Sequence, residues 1–169
     1  MNACTIVARN YLASARVLAL SYARHHPGEC LSVLVIDGEI APFAPNAEPF
    51  ETILPAQLPL AADEFRKMAS MYDVMELATA MKPFFLRFLL ERGADAVLFL
   101  DPDIEVFAPL DELGRLAREH TVVLIPHTLR PIPADGRKPT PAVLAASGVY
   151  NLGFIAVGPE AHSFLEWWG

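Results

Sequence analysis

The 169-residue chain has only two cysteines, Cys4 and Cys30, with no CxxC pair and no Cys/His cluster. That spacing excludes a structural zinc site of the usual kind. Both lie near expected strand starts, so reduced core thiols in a cytoplasmic protein are predicted. No apolar run reaches the roughly 18 residues of a membrane span. The greasiest stretch, MKPFFLRFLL, is interrupted by Lys82, Pro83 and Arg87. It allows at most a peripheral place at the inner membrane face. The start, MNACTIVARNYL, enters strand pattern directly and lacks the layout of a secretion signal.

Positive charge is also scarce: 13 Lys and Arg stand against 20 Asp and Glu, for a net charge of -7. With no basic stripe, a nucleic-acid partner is excluded. A phosphate-bearing ligand would need a metal ion or a local cation. No GxGxxG follows the first strand, and no GxxxxGK[ST] occurs anywhere. A dinucleotide-dependent dehydrogenase and a P-loop kinase are therefore both disfavoured. What is present is a globular composition, 53% hydrophobic and 20% charged.

The chain opens β-α-β. CTIVA (4–8) reads as a buried strand and YLASARVLALSYARHH as a helix ending in His25 and His26. LSVLVIDG (31–38) reads as a second strand ending at Asp37. Five prolines in residues 39–60 predict a surface loop with a short strand at 50–54. Helical texture returns over 61–71 and 74–80, then from Pro83 to a glycine stop at Gly93. AVLFL is a third strand, IEVF (104–107) a candidate short one, and TVVLI a further one. PLDELGRLARE between them is an amphipathic helix with Leu110, Leu113 and Leu116 inward. Residues 126–141 read as a mobile loop containing His127, GVYNLGFIAVG as the last strand, and EAHSFLEWWG as the start of a helix.

The third strand runs into Asp101, Pro102 and Asp103. In open α/β sheets, ligands bind at the carboxyl ends of the strands. On an extended chain, residues i and i+2 share a face, with Cα atoms roughly 6.5 Å apart. Both carboxylates could then lean toward one hard cation, for which all-oxygen ligation suits Mg²⁺ or Mn²⁺. Taken alone, an Asp-x-Asp is more often a plain strand-to-loop exit.

Four stretches, in order, resemble a metal-dependent nucleotide-sugar glycosyltransferase of the GT-A type, closest to the family 8-like bacterial enzymes. They are ARNYLASARVLALSYARHHPG, KPFFLRFLLERGADAVLFLDPDI, FAPLDEL and GVYNLGFIAV. The resemblance implies an α/β fold with a mostly parallel, Rossmann-like sheet flanked by helices. It implies a donor nucleotide-sugar (a UDP-sugar), Mn²⁺ or Mg²⁺, and an acceptor hydroxyl on a saccharide, lipid or protein. Residue by residue, Asn10 would contact the ribose or base and Tyr11 would stack on uracil. Arg87 would face the donor sugar and orient the acidic pair, and Lys82 would meet the diphosphate. Asp101 would hold ribose and metal, Asp103 would ligate the metal, and Asn151 and Gly153 would line the sugar pocket. Asp37 fits either a turn residue or a nucleoside contact.

Two departures accompany the likeness. The acidic residue often found two positions before the family's asparagine is Ala8 here. Family enzymes also continue, with an acidic-Gln segment and a His segment that completes the metal site, whereas this sequence stops at Gly169. Residues 1–169 are thus expected to form one donor-binding domain with its C-terminal part missing, which leaves the activity of the chain alone open. Two other readings stay open. One is a degenerate domain that binds a nucleotide or a partner, with Trp167 and Trp168 offering a surface for self-association. The other is a haloacid-dehalogenase-like phosphatase using Asp101 as nucleophile.

Overall fold

A computed structural model describes residues 1–38, 47–133 and 135–169. Its strands are β1 (Asn2–Val7), β2 (Ser32–Val35), β3 (Glu51–Ile53), β4 (Val97–Leu100), β5 (Val122–Pro126) and β6 (Tyr150–Val157). They form one sheet in the order β3-β2-β1-β4-β6-β5. β1 pairs in parallel with β2 and β4, and β2 with β3. β6 alone runs against its neighbours, β4 and β5. The mostly parallel α/β sheet expected from the sequence is the one that forms.

The helices are α1 (Leu12–His25), α2 (Ala62–Met71), α3 (Val74–Ala80), α4 (Lys82–Glu91), α5 (Asp111–His120), α6 (Pro141–Ser147) and α7 (His162–Trp168). Side chains alternate between two cores, one on each face of the sheet. On one face Ala3, Val7, Val33 and Leu98 pack against Leu18, Ala19 and Tyr22 of α1 and Ala117 of α5. On the other, Cys4, Ile6, Leu34 and Phe99 pack against Phe85, Leu86 and Leu89 of α4 and Leu165 of α7. Burial on both faces is why β4 reads as an unbroken apolar run and why β1 and β2 are interrupted only by Asn2, Thr5 and Ser32. Each large apolar side chain so buried contributes roughly 2 kcal/mol.

Local chemistry sets the helix ends. Asp73 caps α3 by accepting from the amides of Met75 and Glu76, and Glu76 returns a bond to the Asp73 amide. Gly93, at φ +94°, ends α4 in a conformation other residues rarely adopt. Thr140 accepts from the Val143 amide at 3.3 Å and, with Pro141, starts α6.

Several expectations change. Residues 104–107 are not a strand; the Val106 amide donates to the Ser21 hydroxyl on α1 at 3.0 Å instead of entering a ladder. α6 was not foreseen, because the proline-rich stretch before it reads as loop. The deepest residues of α5 are Gly114 and Ala117, with Leu110 and Leu113 only partly buried against the core. Cys4 is buried, but Cys30 is exposed. Part of the proline-rich loop, residues 39–46, lies outside the described residues, as does residue 134. Among the described residues, no helix is long and apolar enough to cross a membrane.

Candidate functional site

β2, β1 and β4 end along one edge of the sheet, and antiparallel β6 enters the sheet there. These four neighbouring strands span roughly 14 Å at the usual spacing between strands. Asn10 and Tyr11 lie in the single 3₁₀ turn Arg9–Tyr11 that joins β1 to α1, and both are exposed, Tyr11 by 51%. Asp37 follows β2, and its Oδ1 accepts from the Arg9 amide at 2.9 Å. That bond ties the turn carrying Asn10 and Tyr11 to the end of β2. Asp37 thus has a defined structural task, whatever else it contacts.

Asp101 follows β4 directly. Its amide donates to the Gly153 carbonyl at 2.8 Å, one step beyond the Leu100–Phe154 pair. The Ile104 amide donates back to the Asp101 carbonyl at 3.1 Å, so Pro102 and Asp103 occupy the middle of a β-turn. This corrects the extended geometry assumed from the sequence. The two carboxylates stay within electrostatic reach: burial raises the Asp101 pKa, Lys82 opposes that rise, and the charge of Asp103 adds to it. Asp103 is exposed.

Lys82 is the residue the structure brings to this pair. It is the first residue of α4, only 5% exposed. Its Nζ donates to the Leu152 carbonyl of β6 at 2.8 Å and stands 4.2 Å from the centre of the Phe99 ring. It pairs with Asp101 Oδ1 at 3.6 Å, where the Asp101 side chain remains 43% exposed. Burial lowers the Lys82 pKa, and Asp101 opposes that shift. One buried cation therefore joins α4, β6 and the acidic turn.

Arg87 does not meet the pair. Five residues along a helix turn about 140° in net direction, so Lys82 and Arg87 leave α4 on different sides. Among the described residues, the polar contacts of Arg87 are the Glu91 carboxylate at 3.7 Å and the Pro59 carbonyl at 3.5 Å. Lys82, and not Arg87, is the cation of α4 that contacts Asp101.

Asn151 and Gly153 lie on β6 opposite the acidic turn. Asn151 Oδ1 accepts from the Gly153 amide at 2.8 Å. A Cβ on Gly153 would come 3.0 Å from Asp101 Oδ2 and 2.9 Å from Asn151 Oδ1. The missing side chain is therefore what lets the Asp101 carboxylate lie flat against β6.

The segment after the acidic turn is pinned to α1 by two polar side chains. Besides the Ser21 bond to Val106, the buried His26 accepts from the Leu110 amide through Nε2 at 2.9 Å and stacks on Tyr22. Sequence reasoning had His26 only as a helix end. Its partner is 84 residues away, and no local signal marks it.

Among the described residues, no group of three or more His, Cys, Asp and Glu side chains is close enough to hold a metal ion. The edge carries the carboxylates of Asp37, Asp101 and Asp103, of which that of Asp103 is exposed. A groove of about 700 Å³ lies elsewhere, between α2, α3, α4 and α7, and none of the residues above line it. The acidic turn stands on an open edge.

A mostly parallel sheet with one reversed strand beside the acidic turn is the fold of GT-A-type glycosyltransferases. Galactosyltransferase LgtC, in complex with donor and acceptor sugar analogues, superposes with a TM-score of 0.59 at 16% identity, over 96% of this chain and 60% of LgtC. The glycosyltransferase GlyE of Streptococcus pneumoniae TIGR4 gives 0.54 at 15% identity, over 96% of this chain and 36% of GlyE. The chain thus spans less than two thirds of either. At these identities the likeness concerns the fold, and the family 8-like resemblance of the four motifs is consistent with LgtC. The phosphatase reading has no counterpart in these structures. No protein-family profile matches the chain, and no curated protein matches it in sequence.

Proposed function

We propose that this chain is the donor-binding part of a glycosyltransferase that takes a nucleotide-diphospho-sugar, a UDP-sugar, across the carboxyl edge of the sheet. The observation that carries this reading is the acidic turn at the end of β4, held between Lys82 and Gly153 on a GT-A sheet. The exposed Asn10 and Tyr11 lie at the neighbouring strand end, where a uridine would rest. Asn151 and Gly153 face the donor sugar from β6.

The donor set fits Mn²⁺ or Mg²⁺. It is all oxygen, carries two coupled carboxylates, and leaves the remaining positions to water and diphosphate oxygens, the habit of Mg²⁺ sites. Asp103, the exposed carboxylate, and Asp101 would hold the ion. Such an ion would supply charge neutralisation for a diphosphate leaving group. Lys82 holds Asp101 in place and adds positive charge beneath the turn. An acceptor hydroxyl approaches from the solvent side of β6.

Thermal melting with nucleotides tests this reading. UDP with Mn²⁺ at about 100 times its dissociation constant should add about 2.7 kcal/mol of stability. ADP and GDP should add clearly less. Equal shifts with all three nucleotides, or none with any, would sink the assignment of a uridine donor.

A further inference from the structure

Residues 127–133 and 135–149 leave the sheet where β6 enters it, and their base is closed by His127. The His127 amide donates to the Val149 carbonyl at 3.0 Å, and its Nδ1 lies 2.9 Å from the Gly148 carbonyl. Ile125 pairs with Asn151 and Pro126 with Tyr150, so the excursion starts beside the proposed sugar-facing strand. Within it lies a concavity of about 670 Å³ whose lining includes Leu129, Ile132, Arg130, Arg137 and Lys138. In a chain of net charge -7, this stretch has three cations and one acid, Asp135. The Asp135 carboxylate is turned to the Arg137 backbone amide at 3.0 Å.

Clustering sets these cations apart. Arg16, Arg66, Lys82, Arg87, Arg92, Arg115 and Arg118 each have a carboxylate partner. Among the described residues Arg24, Lys67, Arg130, Arg137 and Lys138 have none, and of these five the last three line one concavity. Three unpaired cations in one concavity attract an anion. The carbon surface around them, with Leu129 89% exposed, suits the apolar face of a sugar ring. Tyr150, half exposed, precedes Asn151 on β6 and pairs with Pro126, where the excursion begins.

We infer that this concavity is the acceptor subsite and that it takes a saccharide bearing an anionic group, a phosphate or a carboxylate. The inference rests on the donor reading above, which places sugar transfer at the edge formed by Asn151 and Gly153. Arg130, Arg137 and Lys138 would hold the anionic group, while the ring lies toward Tyr150 and presents a hydroxyl to the donor side.

Calorimetric titration with glucose, glucose 6-phosphate and glucuronate tests it, in parallel with UDP and Mn²⁺. At least one anionic sugar should bind about tenfold tighter than glucose, the gain expected from charge-assisted hydrogen bonds. A triple variant, Arg130→Gln, Arg137→Gln and Lys138→Gln, should lose that preference and keep UDP affinity. Added salt should weaken the anionic sugars on the wild-type chain, a test that does not depend on the variant folding. Equal affinity for all three sugars, or no binding of any, would overturn the inference. So would a variant that loses UDP and leaves the sugars unchanged, since the cations would then serve the donor. Loss of UDP binding by the wild-type chain itself would point instead at the donor reading.

Discussion

Lys82 carries its charge into a place that leaves it 5% exposed, and three partners compensate: a carbonyl, an aromatic face and a carboxylate. Removing the cation with Lys82→Met should leave Asp101 desolvated without its counter-charge. The cost should be about 1–2 kcal/mol, below that of a fully buried pair because Asp101 is partly open to water. The double variant Lys82→Met with Asp101→Asn should recover part of it in chemical denaturation; no recovery would show that the pair does not couple. Gly153→Ala makes a different prediction. A Cβ there displaces the Asn151 side-chain oxygen and the Asp101 carboxylate, not backbone. Melting should therefore change by less than about 1 kcal/mol, while metal-dependent UDP binding falls about tenfold. Unchanged binding would mean that the carboxylate position against β6 is unimportant.

At the scale of elements, the loop after β4 is held in place by α1. Ser21→Ala leaves the buried Val106 amide without its acceptor and should cost about 1–3 kcal/mol in denaturant unfolding. Because that loop follows the acidic turn directly, ligand affinity should fall with it. The other clip is Arg16 on α1 with Glu48, joined by two bonds of 2.7 Å. The Arg16 guanidinium lowers the Glu48 pKa against a smaller opposing effect of burial. Below the ordinary carboxylate value, the unfolded chain binds this proton more readily than the folded one, so stability rises with pH in that window. The Glu48 contribution is present above the ordinary value and is lost as pH falls through the lowered one. Glu48→Gln should flatten the acid limb of the stability curve there.

Much of this element-scale design was legible in the sequence. The apolar run of β4 ending at Asp101 marks a strand tip, and the α1 periodicity marks its buried face. Asn151 and Gly153 were placed on the last strand. Less legible were the contacts made across long sequence separations: Lys82 with the Leu152 carbonyl, Ser21 with Val106, and His26 with Leu110. No local pattern encodes them. Residues 104–107 alternate like a strand, but a side chain satisfies the Val106 amide where a ladder would have.

The whole molecule has a net charge of -7, and its proposed ligand brings a diphosphate. Electrostatics across the molecule therefore oppose donor binding unless a divalent cation mediates it. The exposed Asp103 is the residue best placed to hold that cation, while Asp101 is already engaged by Lys82. The measurement that tests this most directly is titration of UDP with and without Mn²⁺, on wild type and on Asp103→Asn. The predicted result is binding strengthened at least about tenfold by Mn²⁺ in the wild type, with that gain lost in the variant. Equal UDP affinity in all four conditions would contradict a metal-held donor site at the end of β4.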